Sequence, residues 1–375
     1  MNIVFAGDFS LQGRLKGCRD ASLVEQALGE PLKDLLRKAD HAVVNWEGAS
    51  TPSMKGILKD GPCLKNAPEV LPALKSVGFD IVTLANNHVG DYSFEGVMDT
   101  IRACQDAGLK TVGAGSSLAE ASAPLILEDD CSLAILNVCE SEALIATSTT
   151  PGLAPIDLIS LFNTMNDLRA KVDFIIIVVH GGCEHYPLPT PEMQRRYRYF
   201  VDLGADAVVG HHQHCFSGYE VYNGKPIFYG LGNFFFDGKK GVGSAWNEGY
   251  LVQLTLGKEM KFELHPYRQC WDDLSFVLLD INAYADRIQE LNSIIVNEER
   301  LQEEFDKFVG SKRPLSVFLP YSNHYLTELY IRRMLPACLS ERKLAKMISR
   351  IKCEAHNEVL RRSFSPDYLM KKEKG

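Results

Sequence analysis

The residues best suited to chemistry stand in a few short clusters. His180-Gly181-Gly182-Cys183-Glu184-His185 and Gly210-His211-His212-Gln213-His214 hold five of the chain's ten histidines. Gly7-Asp8, Asn45-Trp46-Glu47 and Asn86-Asn87-His88 add carboxylates, amides and a further imidazole. Asp, Glu, Asn and His together form the donor set of a mixed nitrogen and oxygen metal site, which suits Zn, Mn, Fe or Ni better than Ca. A bridging carboxylate that holds two ions about 3.5–4 Å apart suits the hydrolysis of phosphate esters. Each cluster also has a plain reading. A lone Gly-Asp after a strand is most often a turn, Glu47 can merely cap a helix, and histidines can gather by chance on an exposed loop. Asn86-Asn87-His88 and His211-His212-x-His214 resist that reading best, because adjacent polar residues after a buried strand are poor core material.

What the clusters share is position. Ile3-Val4-Phe5-Ala6 runs into Gly7-Asp8, Ala42-Val43-Val44 into Asn45, and Ile81-Val82-Thr83-Leu84 into the Asn86 cluster. The run from Phe174 to Val179 leads into His180, and Ala207-Val208-Val209 leads into Gly210-His211. Apolar runs of this kind, rich in β-branched residues, read as strands buried on both faces of a parallel sheet. Asp40, Asp80, Asp173 and Asp206 stand at or next to their starts. In open α/β sheets, ligand sites form beyond the carboxyl ends of the strands. Five strands therefore deliver polar residues to the same end of a sheet, and this convergence is the main functional signal.

Helices are expected over about 22–39, with Pro31 as a break or start, and over 67–77, 93–107, 156–170 and 192–203. Asp91-Tyr92-Ser93 reads as a helix cap, and 48–66 as a long loop of the kind that borders a site. Shorter strands are expected near 125–127 and 133–138, with an irregular stretch over 140–155. A hairpin is expected over 219–229, turning at Asn223-Gly224. Gly232-Asn233-Phe234 closes that segment, and 250–256 pairs with 261–266. From about Ala283 the pattern is helical. Arg332, Arg333, Arg342, Lys343, Arg350 and Lys352 make it locally basic, and Met370 to Gly375 form a frayed tail. A boundary near 280 separates a main domain, 1–280, from a helical extension, 281–375, whose His324 and His356 are expected to supply no ligand.

Composition fits an ordinary globular chain of 375 residues, 46% hydrophobic and 23% charged. A net charge of −8 argues against a nucleic-acid surface. No apolar run approaches the roughly 20 residues of a membrane span. The residues before and after Ile3 show no charged n-region followed by an apolar h-region, so no signal peptide is expected, and the scattered cysteines form no CxxC pair, so the cytoplasm is the expected compartment.

These clusters, in this order and spacing, resemble the CapA family of capsule-synthesis proteins linked to poly-γ-glutamate. The likeness is carried by Gly7-Asp8, Asn45-Trp46-Glu47, Asn86-Asn87-His88 with Asp91, His180-Gly181-Gly182-x-Glu184, Gly210-His211-His212-x-His214 and Gly232-Asn233-Phe234, and it covers roughly residues 1–256. It implies a four-layer α/β sandwich of the calcineurin-like metallophosphatase type, here with a C-terminal helical extension. By analogy Asp8, Glu47, Asn87, His180, His212 and His214 are candidate ligands for one or two divalent transition metal ions, Mn, Zn or Fe. His88 is the residue to protonate a leaving oxygen or hold a phosphate, with Asn86, Asp91 and Glu184 as further catalytic candidates. The chain departs from the calcineurin-like pattern at Asp8-Phe9-Ser10, where Asp-x-His is usual, and at Glu47, where an Asp usually bridges. His185 or His211 can supply the missing nitrogen.

Two functions follow as expectations. In the first, the protein is a metal-dependent hydrolase of capsule, surface-polysaccharide or poly-γ-glutamate synthesis. Metal-activated water attacks a small phosphoester or acyl phosphate, and His88 assists the leaving group. In the second, it is a non-catalytic accessory or binding component that docks capsule-synthesis proteins through its helical extension.

Overall fold

A computed structural model describes residues 1–142, 144–237, 244–312 and 341–364. His324, Arg332, Arg333 and the tail from Met370 lie outside the described residues. The apolar runs form the strands expected of them. β1 (Asn2–Ser10), β2 (His41–Trp46), β3 (Ile81–Thr83) and β4 (Lys110–Val112) lie parallel and side by side. The short strands β5 (Ala114–Gly115) and β8 (Gly152–Leu153) pair with each other. A second sheet holds β6 (Leu125–Glu128), β7 (Ser132–Cys139), β9 (Phe174–His180), β10 (Ala207–His211), β11 (Tyr219–Tyr222) and β12 (Lys225–Phe228), in the order β11-β12-β10-β9-β7-β6. The first sheet is completed by β13 (Asn233–Phe236), parallel to β1, and by the antiparallel β14 (Glu248–Thr255), β15 (Lys261–Gln269) and β16 (Phe276–Leu278).

Alternation along a strand sends successive side chains to opposite faces. Ile3 and Phe5 of β1 accordingly join the core between the two sheets, while Val4, Ala6 and Phe9 face outward. The outward face is covered by α1 (Ala21–Leu36), α2 (Leu71–Val77) and α3 (Ser93–Asp106). A short α4 (Leu118–Ala121) follows β5. α5 (Leu158–Arg169) and α6 (Pro191–Asp202) cover the outer face of the second sheet through Leu161, Met165, Tyr197 and Phe200. The result is the expected helix–sheet–sheet–helix sandwich of four layers.

Local chemistry explains the joints. Asp20, Asp157 and Thr190 accept hydrogen bonds from first-turn backbone N–H groups of α1, α5 and α6. Gly29, at φ 76, kinks α1 two residues before Pro31. The β11–β12 turn places Asn223 at φ 50 and Gly224 at φ 76, both in the left-handed region that a tight hairpin requires. The aspartates at the strand starts tie neighbouring strands together. Asp40 accepts from the backbone N–H of Asn2, Asp80 from Ala42, Asp173 from Ser132 and Asp206 from Ile175.

Three expectations need correction. The functional strands do not end at one sheet edge: β1, β2 and β3 belong to one sheet, and β9 and β10 to the sheet facing it. Gly232-Asn233-Phe234 is more than a closing turn, since Asn233 begins a strand in register with Asp8. Asp91 does not cap α3, which has no side-chain cap, because its carboxylate is occupied by the functional cluster described below.

The described part of 281–375 packs on the main body. α7 (Ala285–Ile295) and α8 (Glu298–Lys312) bury Ile288, Leu291, Ile295, Leu301, Phe305 and Val309 in the same apolar cluster as the second sheet. Asn292 accepts a hydrogen bond from the backbone of Tyr219 at 2.7 Å, and Gln194 donates to Ile295 O at 2.6 Å. The helices Glu341–Lys352 and Glu354–Phe364 follow, with Val359 in the same cluster. Among the described residues, no helix is long and apolar enough to cross a membrane.

Candidate metal centre

The carboxyl ends of β1, β2, β3, β9 and β10 meet where the two sheets face each other. Asp8 can reach this point because β1 passes tightly against the chain before β13: a Cβ on Gly7 would lie 1.9 Å from Gly232 O. The buried Asp8 accepts from Asn45 Nδ2 at 2.8 Å and lies 3.1 Å from His211 Nδ1. His180 Nδ1 is 4.0 Å from Asp8 Oδ1, and His214 Nδ1 is 3.8 Å from Asp8 Oδ2. Glu47 Oε1 lies 3.7 Å from His214 Nε2 and 3.8 Å from His88 Nε2. Candidate donor atoms of Asp8, Glu47 and His214 all fall within 4.8 Å of one another. Beside them, His180 Nε2 lies 3.1 Å from both Asn87 Oδ1 and His212 Nδ1. The six residues expected to hold metal are thus brought together as two adjoining donor groups.

One observation tests whether these residues fit an ion. Glu47 is 0% exposed, and among the described residues neither of its carboxylate oxygens has a hydrogen-bond partner. A buried carboxylate is normally paired or metal-bound, because leaving it bare is costly. Burial, reinforced by Asp8 and Glu184, pushes its carboxyl well above the usual range. Burial alone would also raise Asp8, but His211, His180 and His214 outweigh it and hold Asp8 well below that range. Burial pushes the imidazoles of His180, His88 and His214 down. Metal binding needs unprotonated imidazoles and an ionised carboxylate; the lowered His180 and His214 and the lowered Asp8 supply that state, and Glu47 would give up its proton on binding the ion. The donor set therefore fits a divalent transition metal.

The backbone is strained where the ligands are aimed. His212 and His214 have φ values of 96° and 55°, and His185 one of 61°. Non-glycine residues are uncommon in this region and cluster at functional sites. His214 is further oriented by Asn233, whose Oδ1 lies 2.9 Å from His214 Nδ1. A partner on one ring nitrogen sets the tautomer and leaves Nε2 toward Glu47.

His88 stands beside the ligands. Its Nδ1 lies 2.6 Å from Asp91 Oδ2. Asp91 also accepts from Lys59 Nζ at 2.7 Å and from the backbone of Leu64 at 2.7 Å. Lys59 donates to Asn87 O at 2.6 Å. Asn86 is wholly enclosed: it accepts from the backbone N–H groups of His88 and Val89 and donates to Asn45 Oδ1 and Trp46 O. Its part is to hold the turn that presents Asn87 and His88. Glu184 is exposed at the rim; desolvation works to raise its carboxyl, but His212, His214, His185 and His88 pull it down to about 2. A cavity of about 240 Å³ beside the cluster is lined by His185, His214, Trp246 and Arg287.

In the sequence Asn45 stands out only as part of Asn45-Trp46-Glu47, with no role of its own, and here it donates to Asp8; Lys59 does not stand out at all. Loop 48–66 was recognisable as a site border, yet nothing marked Lys59 among its lysines. Ser10, where the resemblance led a His to be expected, donates to Asn66 Oδ1 at 3.3 Å instead, and His211 supplies the imidazole nitrogen nearest Asp8.

Residues 2–238 match the family model described as "Bacterial capsule synthesis protein PGA_cap". The "PGA biosynthesis protein CapA" of Bacillus subtilis (strain 168) is 31% identical over 245 residues, 63% of each chain. The "Capsule biosynthesis protein CapA" of Bacillus anthracis is 33% identical over 177 residues, 45% of this chain and 43% of that one. A probable polyglutamine synthesis accessory protein of Mycobacterium tuberculosis (strain CDC 1551 / Oshkosh) is 29% identical over 243 residues, 61% of this chain and 63% of that one. The chain thus spans less than two thirds of the length of these relatives. Among solved structures, a 5′-nucleotidase from Candida albicans SC5314 aligns over 82% of this chain and 56% of its own, at 12% identity and a TM-score of 0.42.

Proposed function

The chain belongs to the PGA_cap family of bacterial capsule synthesis proteins, and from that premise we propose that it is a metal-dependent phosphohydrolase of capsule or poly-γ-glutamate synthesis, acting on a small phosphoester or acyl phosphate. The bare, buried carboxylate of Glu47 among imidazole nitrogens carries this reading. Asp8, Glu47, Asn87, His180, His212 and His214 would hold one or two ions, Mn, Zn or Fe. Such an ion supplies Lewis-acid chemistry that makes water a nucleophile near neutral pH.

The protein's own groups do the rest. Asp91 holds His88 Nδ1, so that Nε2 points along the same side as Glu47 and can pass a proton to a leaving oxygen. Lys59 fixes Asp91 and the Asn87 carbonyl together, so the acid and a ligand keep their relative position. In this reading His185 and Trp246, which line the adjoining cavity, and Arg287, which also pairs with Glu248, would receive the remainder of an anionic substrate.

The test is a phosphoester and acyl-phosphate screen on full-length protein reconstituted with Mn, Zn or Fe, together with His88→Ala. Turnover is expected to fall by about 10²–10⁴-fold in that variant, with little change in metal content. Folded, metal-replete protein that turns over none of these substrates would overturn the proposal. It would favour a second reading, an accessory component that binds at this site without hydrolysis. That reading draws on Ser10, which stands where the metallophosphatase pattern has His and faces Asn66 rather than the cluster.

A further inference from the structure

A second set of side chains of the types that hold metal lies away from this centre, where the C-terminal helices meet the main body. Donor atoms of Glu142, Cys353 and His356 all lie within 4.8 Å of one another. Cys353 sits at the joint between the helices Glu341–Lys352 and Glu354–Phe364, and His356 follows three residues later, on the same side of the turn. Glu142 comes from the other partner, the stretch after β7. We propose that these three residues form a zinc site that fastens the C-terminal helices to the main body. The proposal is independent of the hydrolase reading.

Four observations support it. First, the donors mix a thiol, an imidazole and a carboxylate, a combination that selects zinc or a similar transition metal over Mg or Ca. Ligand atoms about 2.0–2.3 Å from a shared zinc lie roughly 3.3–3.8 Å apart, so only small rotamer changes separate the present arrangement from a closed one. Second, the surroundings are rich in negative charge. Glu140 is buried, lies 3.3 Å from Cys353 Sγ and accepts from the backbone of Ala355. Glu354 accepts from Ser141 through both the backbone and the hydroxyl. Arg196 meets Glu140 at 3.1 Å, while Glu142 and Glu354 have no ion-pair partner among the described residues; a cation bound here would offset their charge and displace the proton of the Cys353 thiol, which now donates to Glu140. Third, Ser349 already joins two of the donors: its hydroxyl donates to Glu142 Oε1 at 3.2 Å and lies 3.0 Å from His356 Nδ1. Fourth, Cys353 is 1% exposed, so its thiol is screened from solvent oxidants while it lies against potential co-ligands.

On binding, the Cys353 thiol gives up its proton to solvent and the sulfur bonds to Zn²⁺, with no change of oxidation state. Lys59, which steadies Asp91, lines a cavity of about 230 Å³ together with Glu142, Ser349 and Lys352. A zinc ion here would therefore hold the C-terminal helices against the loop that serves the first centre.

The test uses full-length protein, stripped with chelator and titrated with Co²⁺. A thiolate-to-cobalt charge-transfer band is expected, displaced by Zn²⁺ and lost in Cys353→Ala. No band in folded, cobalt-loaded wild type would overturn the proposal, as would a band that persists in Cys353→Ala. If that variant does not fold, X-ray absorption at the zinc edge of the wild-type protein decides. A sulfur neighbour at about 2.3 Å, lost in Glu142→Gln or His356→Gln, supports the site, and a shell of nitrogen and oxygen alone refutes it.

Discussion

Glu47 buries a carboxylate with no hydrogen-bond partner among the described residues, in a place that a cation would neutralise. Its carboxyl is pushed well above 4.5 in the fold. A group with a raised folded pKa contributes fully to stability below its unfolded pKa and loses that contribution as pH rises through the folded value. In metal-free protein, Glu47 therefore becomes more costly as pH rises above about 4.5. Glu47→Gln is expected to have opposite effects with and without metal. It lowers metal content in elemental analysis, and it raises the melting temperature of chelator-treated protein, with a gap over wild type that widens from acid to alkaline pH. A variant that keeps full metal occupancy would remove Glu47 from the ligand set.

At the scale of elements, the site depends on how two sheets are held together. Asn137, buried on β7 of the second sheet, accepts from the backbone N–H groups of Leu84 and Ala85, just after β3 of the first, and donates to Val178 O. It clips the sheets together immediately before Asn86-Asn87-His88. Asn137→Ala leaves the Ala85 N–H and the Val178 carbonyl with a lost partner, which costs about 1–3 kcal/mol per stranded buried group. Urea unfolding is expected to show that loss, and metal affinity to fall with it. Unchanged affinity in a destabilised variant would mean the clip serves folding alone.

The C-terminal helices are docked by a titratable group. Glu358 is buried, accepts from the backbone N–H of Glu192 at 2.9 Å and takes the hydroxyl of Thr190. Burial pushes its carboxyl up to about 7. Because that exceeds its ordinary value of 4.5, its contribution is complete below about pH 4.5 and fades as pH rises through about 7. Glu358→Gln removes this titration. The difference in stability between wild type and variant is expected to shift against wild type over that window, as read by denaturant melts at a series of pH values. A constant difference would show that Glu358 does not titrate on folding.

For the whole molecule, every candidate ligand of the first centre comes from residues 8 to 214, yet the helices after 280 complete the core beneath it. Ile288, Leu291 and Ile295 of α7 are buried in the cluster of the second sheet. Full burial of such side chains is worth about 1.5–3 kcal/mol each, against a total stability of about 5–15 kcal/mol. Truncation at residue 280 is therefore expected to yield an insoluble or non-cooperatively melting fragment. A soluble fragment with a sharp melt and full metal content would show instead that the helices act on substrate or partner choice.

The sequence by itself determined what is encoded within a few residues. Apolar runs leading into Asp8, Glu47, Asn87, His180 and His212 marked both the strands and the residues that gather in the candidate centre. Asn223-Gly224 marked a hairpin, because only such residues easily take two successive positive φ angles. Tertiary structure decided whatever depends on partners distant in the chain. The ligands divide between two facing sheets because β13 and β14 return to flank β1 from more than 200 residues away. Asp91 left the cap of α3 because Lys59, His88 and the Leu64 backbone compete for its oxygens more effectively than a helix end does. Lys59, Asn137 and Glu358 carried no signal in the sequence, since an ordinary Lys, Asn or Glu acquires its role only when folding buries it beside a particular group. Burial and pairing are properties of the assembled molecule, whereas strand and turn preferences are properties of the local chain.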